Sequence, residues 1–217
     1  MEKIKLTESA ICSLREKVRP YLTEKRYAHT LAVEKEADRL GEIYLPEERV
    51  RLRAAALLHD ITKKEDYERQ LQICVDFGII SSDDQLKTPE VYHALTGSLV
   101  ARRDFPGYTD DEILTAIARH TTGSPDMTLF DAIIYLADYI EETRTVEVCK
   151  ELRSYFWDRT ECGDDKFDIL FGTLIKSFDQ TIEHLIKKNN LIDENTVGAR
   201  NACIGRKIFS GNEGSIL

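Results

Sequence analysis

A chain of 217 residues, 42% hydrophobic and 32% charged, is long enough to bury a sizeable core as one large domain or two small ones. Thirty Lys and Arg against thirty-nine Asp and Glu leave a formal net charge of -9, which opposes binding to a nucleic acid polymer or an anionic membrane; a small phosphorylated ligand would have to be drawn in by a metal and a few local cations. No apolar run reaches the ~18 to 20 residues of a membrane span, the start MEKIKLTESA lacks the apolar region of a signal peptide, and the five cysteines are never spaced as C-x-x-C, so the expectation is a cytoplasmic protein with reduced thiols.

Helical periodicity runs along nearly the whole chain without a convincing alternating strand, which predicts an all-α fold. A first helix is expected from Thr7 to Val18, ended by Pro20, and a second from Thr23 to Leu40, capped by Gly41. Pro46 opens a third that ends at His59-Asp60, and Lys64 to Phe77 forms a fourth closed by Gly78. A loop covers Ile79 to Thr88. Thr88-Pro89 then starts a helix holding His93 that ends before Pro106, and Thr109 to Glu112 reads as a capping box for a helix reaching His120. Thr128 to Asp131 is a second capping signature, for a helix through Asp138 to Glu142; a shorter helix follows from Val146 to Phe156 and a long amphipathic one from Asp164 to Lys188. The tail from Asn189 to Leu217 is polar at first and weakly helical around Val197 to Phe209. With no repeat or linker to divide it, the chain reads as a single domain over residues 1–217, its core about 8–200.

The chemistry gathers around Ala-Leu-Leu-His59-Asp60. Adjacent helical residues point about 100° apart, so His59 and Asp60 can meet one ion only where the helix ends, and there the last carbonyls favour a cation. For an isolated His-Asp pair a structural turn is the commoner explanation. Here His29, His93, His120 and Asp138 also sit in core-facing segments. Arg26 and His29 share a helical face. Asp138 in IIYLADYI needs a positive partner, either a cation or Arg144 near the end of the same helix. His29, His59, Asp60 and Asp138 offer nitrogens and carboxylate oxygens that suit iron, manganese or zinc better than calcium. No acidic residue adjoins His93 or His120 in sequence, so each could serve a second metal, a phosphate or the core. His184, Arg102-Arg103, Glu141-Glu142 and Lys187-Lys188 read as solvated or structural, and Trp157 as packing.

The order His29, His59-Asp60, Asp138 resembles the H…HD…D signature of the HD superfamily of all-helical, metal-dependent phosphohydrolases. More closely, Arg26-Tyr-Ala-His29-Thr30, His59-Asp60-Ile-Thr-Lys63, Tyr92-His93-Ala-x-x-Gly97, His120-Thr121-x-Gly123 and Ala137-Asp138-Tyr-Ile-Glu-x-x-Arg144 resemble the bacterial YqeK family. That resemblance implies a single HD-type helical bundle that hydrolyses diadenosine tetraphosphate symmetrically to two ADP. By the same resemblance His29, His59, Asp60 and Asp138 would hold the metal, in a site similar to an iron site. Arg26, His29, Asp60, Lys63, His93, His120, Thr121, Asp138 and Arg144 would line the nucleotide, and Asp60, Lys63, His93 and His120 form the expected catalytic set. The family also uses a segment after its last long helix. Here that segment is Leu191-Ile192-Asp193-Glu194-Asn195-Thr196, without the proline common in relatives, and Thr196 is its best match. Another HD nucleotidase or triphosphohydrolase, or a nonenzymatic nucleotide-binding module, are the rival readings. Trp157 or the long last helix could support a homodimer.

Overall fold

In the computed structural model, which describes residues 3–79 and 89–205, every regular element is helical. Ten α-helices are seen among these residues: α1 (Glu8–Val18), α2 (Glu24–Tyr44), α3 (Arg49–Leu58), α4 (Tyr67–Asp76), α5 (Tyr92–Asp104), α6 (Asp111–Arg119), α7 (Leu129–Ile140), α8 (Glu147–Cys162), α9 (Lys166–Lys187) and α10 (Glu194–Ile204). None of them is long and apolar enough to cross a membrane.

Helices α3 and α7 form the centre. Leu52 and residues 54–58 of α3 are fully buried, as is every residue from 129 to 137 of α7 to within a few per cent. A helix apolar on nearly all sides belongs inside, and α1, α2, α6 and α7 surround α3. Around this centre α9 presses Phe178 onto Tyr135 of α7, ring centroids 4.6 Å apart, and Tyr44 of α2 donates from its hydroxyl to the Lys166 carbonyl. Helix α10 packs on α9 and reaches the turn after His120. There Gly123, at φ 67°, leaves no room for a side chain, since a Cβ would lie 2.8 Å from Phe178 Cζ and 2.9 Å from Ala199 Cβ.

Thr7, Thr23 and Thr128 cap their helices as the sequence leads one to expect, the last in a capping box with Asp131. Other ends differ. Helix α2 passes through Gly41 to Tyr44, and the glycine instead permits close approach of the next segment: a Cβ there would stand 2.8 Å from Leu52 Cδ1. Helix α4 starts at Tyr67, because the chain first completes a turn after Asp60 and then uses Asp66 as its cap. Asp110, not Thr109, caps α6; the Thr109 hydroxyl donates back to the Phe105 carbonyl, and Glu112 is drawn to Arg51. Helix α8 continues past Phe156 to Cys162, and α10 begins before Val197, at Glu194. Apart from Ile79, the expected loop and the Thr88 cap lie outside the described residues, as do residues 206–217 of the tail.

The C-terminal end of α7 matters for the site. Its orphan carbonyls are collected by one side chain from α8: Arg153 donates from Nε to Ile140 O at 2.6 Å and from Nη2 to Glu141 O and, at 3.0 Å, to Arg144 O.

Candidate metal centre

His59 and Asp60 stand where α3 gives out. Lys63 N donates to Asp60 O at 2.9 Å, closing the turn, and the Thr62 hydroxyl donates to His93 O at 2.9 Å, fastening it to α5. Helix α5 can come this near because position 97 is glycine; a Cβ there would lie 3.2 Å from His59 O.

Four buried imidazoles form a row: His29 to His59, His59 to His120 and His120 to His93 are 5.6, 4.9 and 5.1 Å apart between ring centroids. Three of the rings are oriented by acceptors on Nδ1. His59 Nδ1 donates to Ala56 O at 2.6 Å, His120 Nδ1 to Ile117 O at 2.7 Å, and His29 Nδ1 to Glu141 Oε1 at 3.0 Å. Because a carbonyl or carboxylate oxygen only accepts, the Nδ1 position carries the proton and Nε2 turns inward, the arrangement seen in metal-ligating histidines.

His29 Nε2 and His59 Nε2 are buried without a hydrogen-bond partner. Two carboxylates face them. Asp138 Oδ1 lies 3.0 Å from His29 Nε2 and 3.9 Å from His59 Nε2, while Asp60 Oδ2 lies 3.8 and 3.4 Å from the same atoms. Ligand atoms of His29, His59 and Asp138 fall within 4.8 Å of one another, and so do those of His59, Asp60 and His120. Orphaned imidazole nitrogens beside carboxylates fit a divalent transition-metal ion.

Asp60 also reaches the far end of the row. Its Oδ1 is 3.5 Å from His93 Nε2 and 3.6 Å from His120 Nε2, so the acid that neither histidine has beside it in sequence is supplied in space. Cations and a hydroxyl complete the surroundings. Arg26 donates to Asp60 Oδ2 at 2.8 Å, Arg144 donates to Asp138 Oδ1 at 2.5 Å, Lys63 Nζ lies 3.1 Å from His93 Nδ1, and Thr121 Oγ1 lies 3.2 Å from His93 Nε2. Of the two partners that the sequence leaves open for Asp138, Arg144 is in place, and the same carboxylate faces the histidines that could hold a cation.

The electrostatics follow from this packing. Burial alone would raise the Asp60 and Asp138 carboxyls, yet His59 and His120 around the first, and Arg144 and His29 around the second, hold both well below the usual range. Burial pushes Lys63 down, and burial with His120 and Lys63 keeps His93 neutral. His29 moves the other way. Burial opposes its proton, but Asp138 and Glu141 outweigh that and push the ring up to about 9.

This has a sign that can be tested. A histidine raised from ~6.5 to about 9 adds stability that is fully present below pH 6.5 and lost as pH rises through 9, on the order of 3 kcal/mol. In chelator-treated protein, urea unfolding should show that loss between pH 6.5 and 9.5, and His29→Gln should flatten it. A wild-type curve that is level or rising across the window contradicts the assignment.

Glu141 is not legible as a site residue from its Glu-Glu sequence, which reads as a solvated pair; only Glu142 is exposed, pairing with Lys35 at 2.8 Å. Glu141 is fully buried and accepts from His29 Nδ1, Thr143 N and, at 2.8 Å, the Thr143 hydroxyl. A signal was present: Glu141 follows Asp138 by three residues, the helical spacing that returns to one face. The segment 191–196 is placed differently from the histidine row. Leu191 is exposed, Asp193 caps α10 by accepting from Asn195 N at 2.8 Å, Thr196 is buried, and among the described residues none of Leu191, Ile192, Asp193, Glu194, Asn195 and Thr196 bonds to the row. His184 is exposed in the last turn of α9, and Trp157 donates to Glu36 Oε1 at 2.7 Å beneath the Arg39 guanidinium.

Similarity to known proteins covers the same stretch of chain. A model of the HD domain matches residues 26–143, the span that holds all four histidines of the row, Asp60, Asp138 and Glu141. The chain is 34% identical over 184 residues to a protein of Halalkalibacterium halodurans named symmetrical bis(5'-nucleosyl)-tetraphosphatase, covering 85% of this chain and 91% of that one. A Bacillus subtilis protein of the same name is 33% identical over 179 residues, 82% and 89% of the two chains. A crystal structure from Clostridium acetobutylicum, described as a "predicted HD superfamily hydrolase involved in NAD metabolism", superposes with a TM-score of 0.78 at 37% identity over 90% of this chain and 97% of that one.

Proposed function

Because the chain belongs to the HD domain family, we propose that it is a cytoplasmic, metal-dependent hydrolase that cuts diadenosine tetraphosphate and related dinucleoside polyphosphates symmetrically, releasing two ADP. The observation that carries the reading is the pair of orphaned, buried ring nitrogens of His29 and His59 between two carboxylates held ionised. The names of the Halalkalibacterium and Bacillus relatives support the substrate.

His29, His59, Asp60 and Asp138 are the residues that would hold the ion, iron first, with manganese or zinc as alternatives. A divalent ion bound there would supply Lewis acidity to a phosphate and acidify water. The chain's own groups do the rest. Arg26 and Arg144, each tied to a carboxylate through part of its fork, keep further N–H donors for phosphate oxygens. His93 enters as a neutral ring, positioned by Lys63, His120 and Thr121. Water adds across the central anhydride: one P–O bond forms, the bridging P–O bond breaks, and a proton must reach the departing ADP oxygen. We assign that delivery to Lys63, whose proton is loosened by burial.

Chromatography of products tests this directly. Protein loaded with Fe²⁺, Mn²⁺ or Zn²⁺ is incubated with diadenosine tetraphosphate and, separately, with NAD. ADP as sole product is expected from the first and no cleavage of the second. AMP with ATP would sink symmetrical cleavage, and NAD split to its two mononucleotides with diadenosine tetraphosphate untouched would move the reading to the NAD metabolism named for the Clostridium protein.

A further inference from the structure

A cavity of about 440 Å³ opens at the His29 end of the histidine row, between the start of α2 and the segment joining α7 to α8. His29 and Glu141 line its inner part, and Arg26 and Arg144 border it there. Further lining comes from Lys25, Thr143 and Thr145, and Val146 is 60% exposed although it is apolar. The volume is at the lower end of the range for sites that take one small ligand.

Its charge is unbalanced. Lys25 has no ion pair with a carboxylate among the described residues, whereas its neighbour Glu24 is paired with Arg19. Arg26 gives one of its nitrogens to Asp60, leaving the remainder of its fork for another acceptor. The opposite end of the row is different in kind: there Lys63 and Thr121 meet His93. A chain of phosphates lying across Asp60 therefore has a cationic station at each end, and the His29 end continues into this cavity.

We infer that the cavity receives the second nucleoside-phosphate arm of the substrate, its phosphate against Lys25 and Arg26 and its nucleoside against Thr145 and Val146, while the first arm lies at the Lys63, His93 and Thr121 end. The inference rests on the proposed hydrolase reading and adds to it a place for the half of the substrate that the Lys63 end does not hold. Val146 offers the flat face of a base an apolar surface to lie on.

Lys25→Glu and Val146→Asp, both on exposed positions, test it. Each should raise KM for diadenosine tetraphosphate about tenfold, a change of ~1.4 kcal/mol, while the Kd for ADP measured by calorimetry and the metal content stay within twofold of wild type. Equal weakening of ADP and the dinucleotide, or no change in either, overturns the assignment. If wild-type protein cleaves no dinucleotide, the hydrolase reading fails by itself. The cavity is then judged on Kd for uncleaved diadenosine tetraphosphate: weaker binding in both variants with ADP binding kept supports it, and unchanged binding overturns it.

Discussion

Asp60→Ala is expected to strip the protein of its metal and to lower turnover of diadenosine tetraphosphate by about 10²–10³-fold or more. Among the described residues no other side chain faces so much of the site. Oδ2 accepts from Arg26 and faces His29 and His59, while Oδ1 faces His93 and His120. Without it a guanidinium and four imidazoles are left around a space with one carboxylate fewer, and breaking a buried charge pair from one side costs about 3–5 kcal/mol of stability. Asp60→Asn separates the two effects, because it keeps the volume and hydrogen-bonding capacity while removing the charge. Metal content after chelator competition should fall in both variants, with unfolding shifted more in the alanine. An Asp60→Ala protein that retains its ion and turns over within tenfold of wild type would remove Asp60 from the centre.

Glu141→Gln carries the second large effect, on a residue that binds neither metal nor substrate in the proposed scheme. Its carboxylate accepts the Nδ1 proton of His29, orienting the ring and raising its basicity. Losing that charge should weaken metal binding about 10–100-fold, measured above pH 9 where the ring is neutral with or without Glu141. At lower pH the deficit should narrow, since wild-type His29 must first release a proton that Glu141 helps to hold. Saturating metal should restore most of the turnover, which separates this role from direct catalysis. Unchanged metal affinity at high pH would leave Glu141 with packing alone.

The sequence allowed the helices to be located wherever a local device marks them. Thr7, Thr23 and Thr128 are N-caps whose hydroxyls act within their own turn, and Pro46 opens a 3-10 turn leading directly into α3. The errors fall where a distant element decides. Gly41 looks like a helix stop but serves the approach of Leu52, and Thr109 looks like a cap although Asp110, which also holds Arg51, takes the position. The same division runs through the site. Buried polar residues in apolar helices announced His29, His59 and Asp138, because a lone charge in such a stretch needs a partner. That Asp60 turns its second oxygen to His93 and His120 depends on how closely α5 and α6 meet the end of α3, which a glycine at 97 permits and no local pattern encodes.

The bond set around Arg153 bears on how this fold can be recombined. The stretch that matches the HD domain ends at residue 143, yet Arg144 outside it grips Asp138, and Arg153 further on closes the turn that carries Glu141. A graft transplanted at that boundary into another helical scaffold would bring every candidate ligand and still leave the last carbonyls of α7 open, with the acceptor of His29 set adrift. Breakpoints for chimeras therefore belong beyond α8. Exchange of whole blocks through Cys162, where Gly163 ends the helix in the left-handed region, keeps the ligand row and its fastening together.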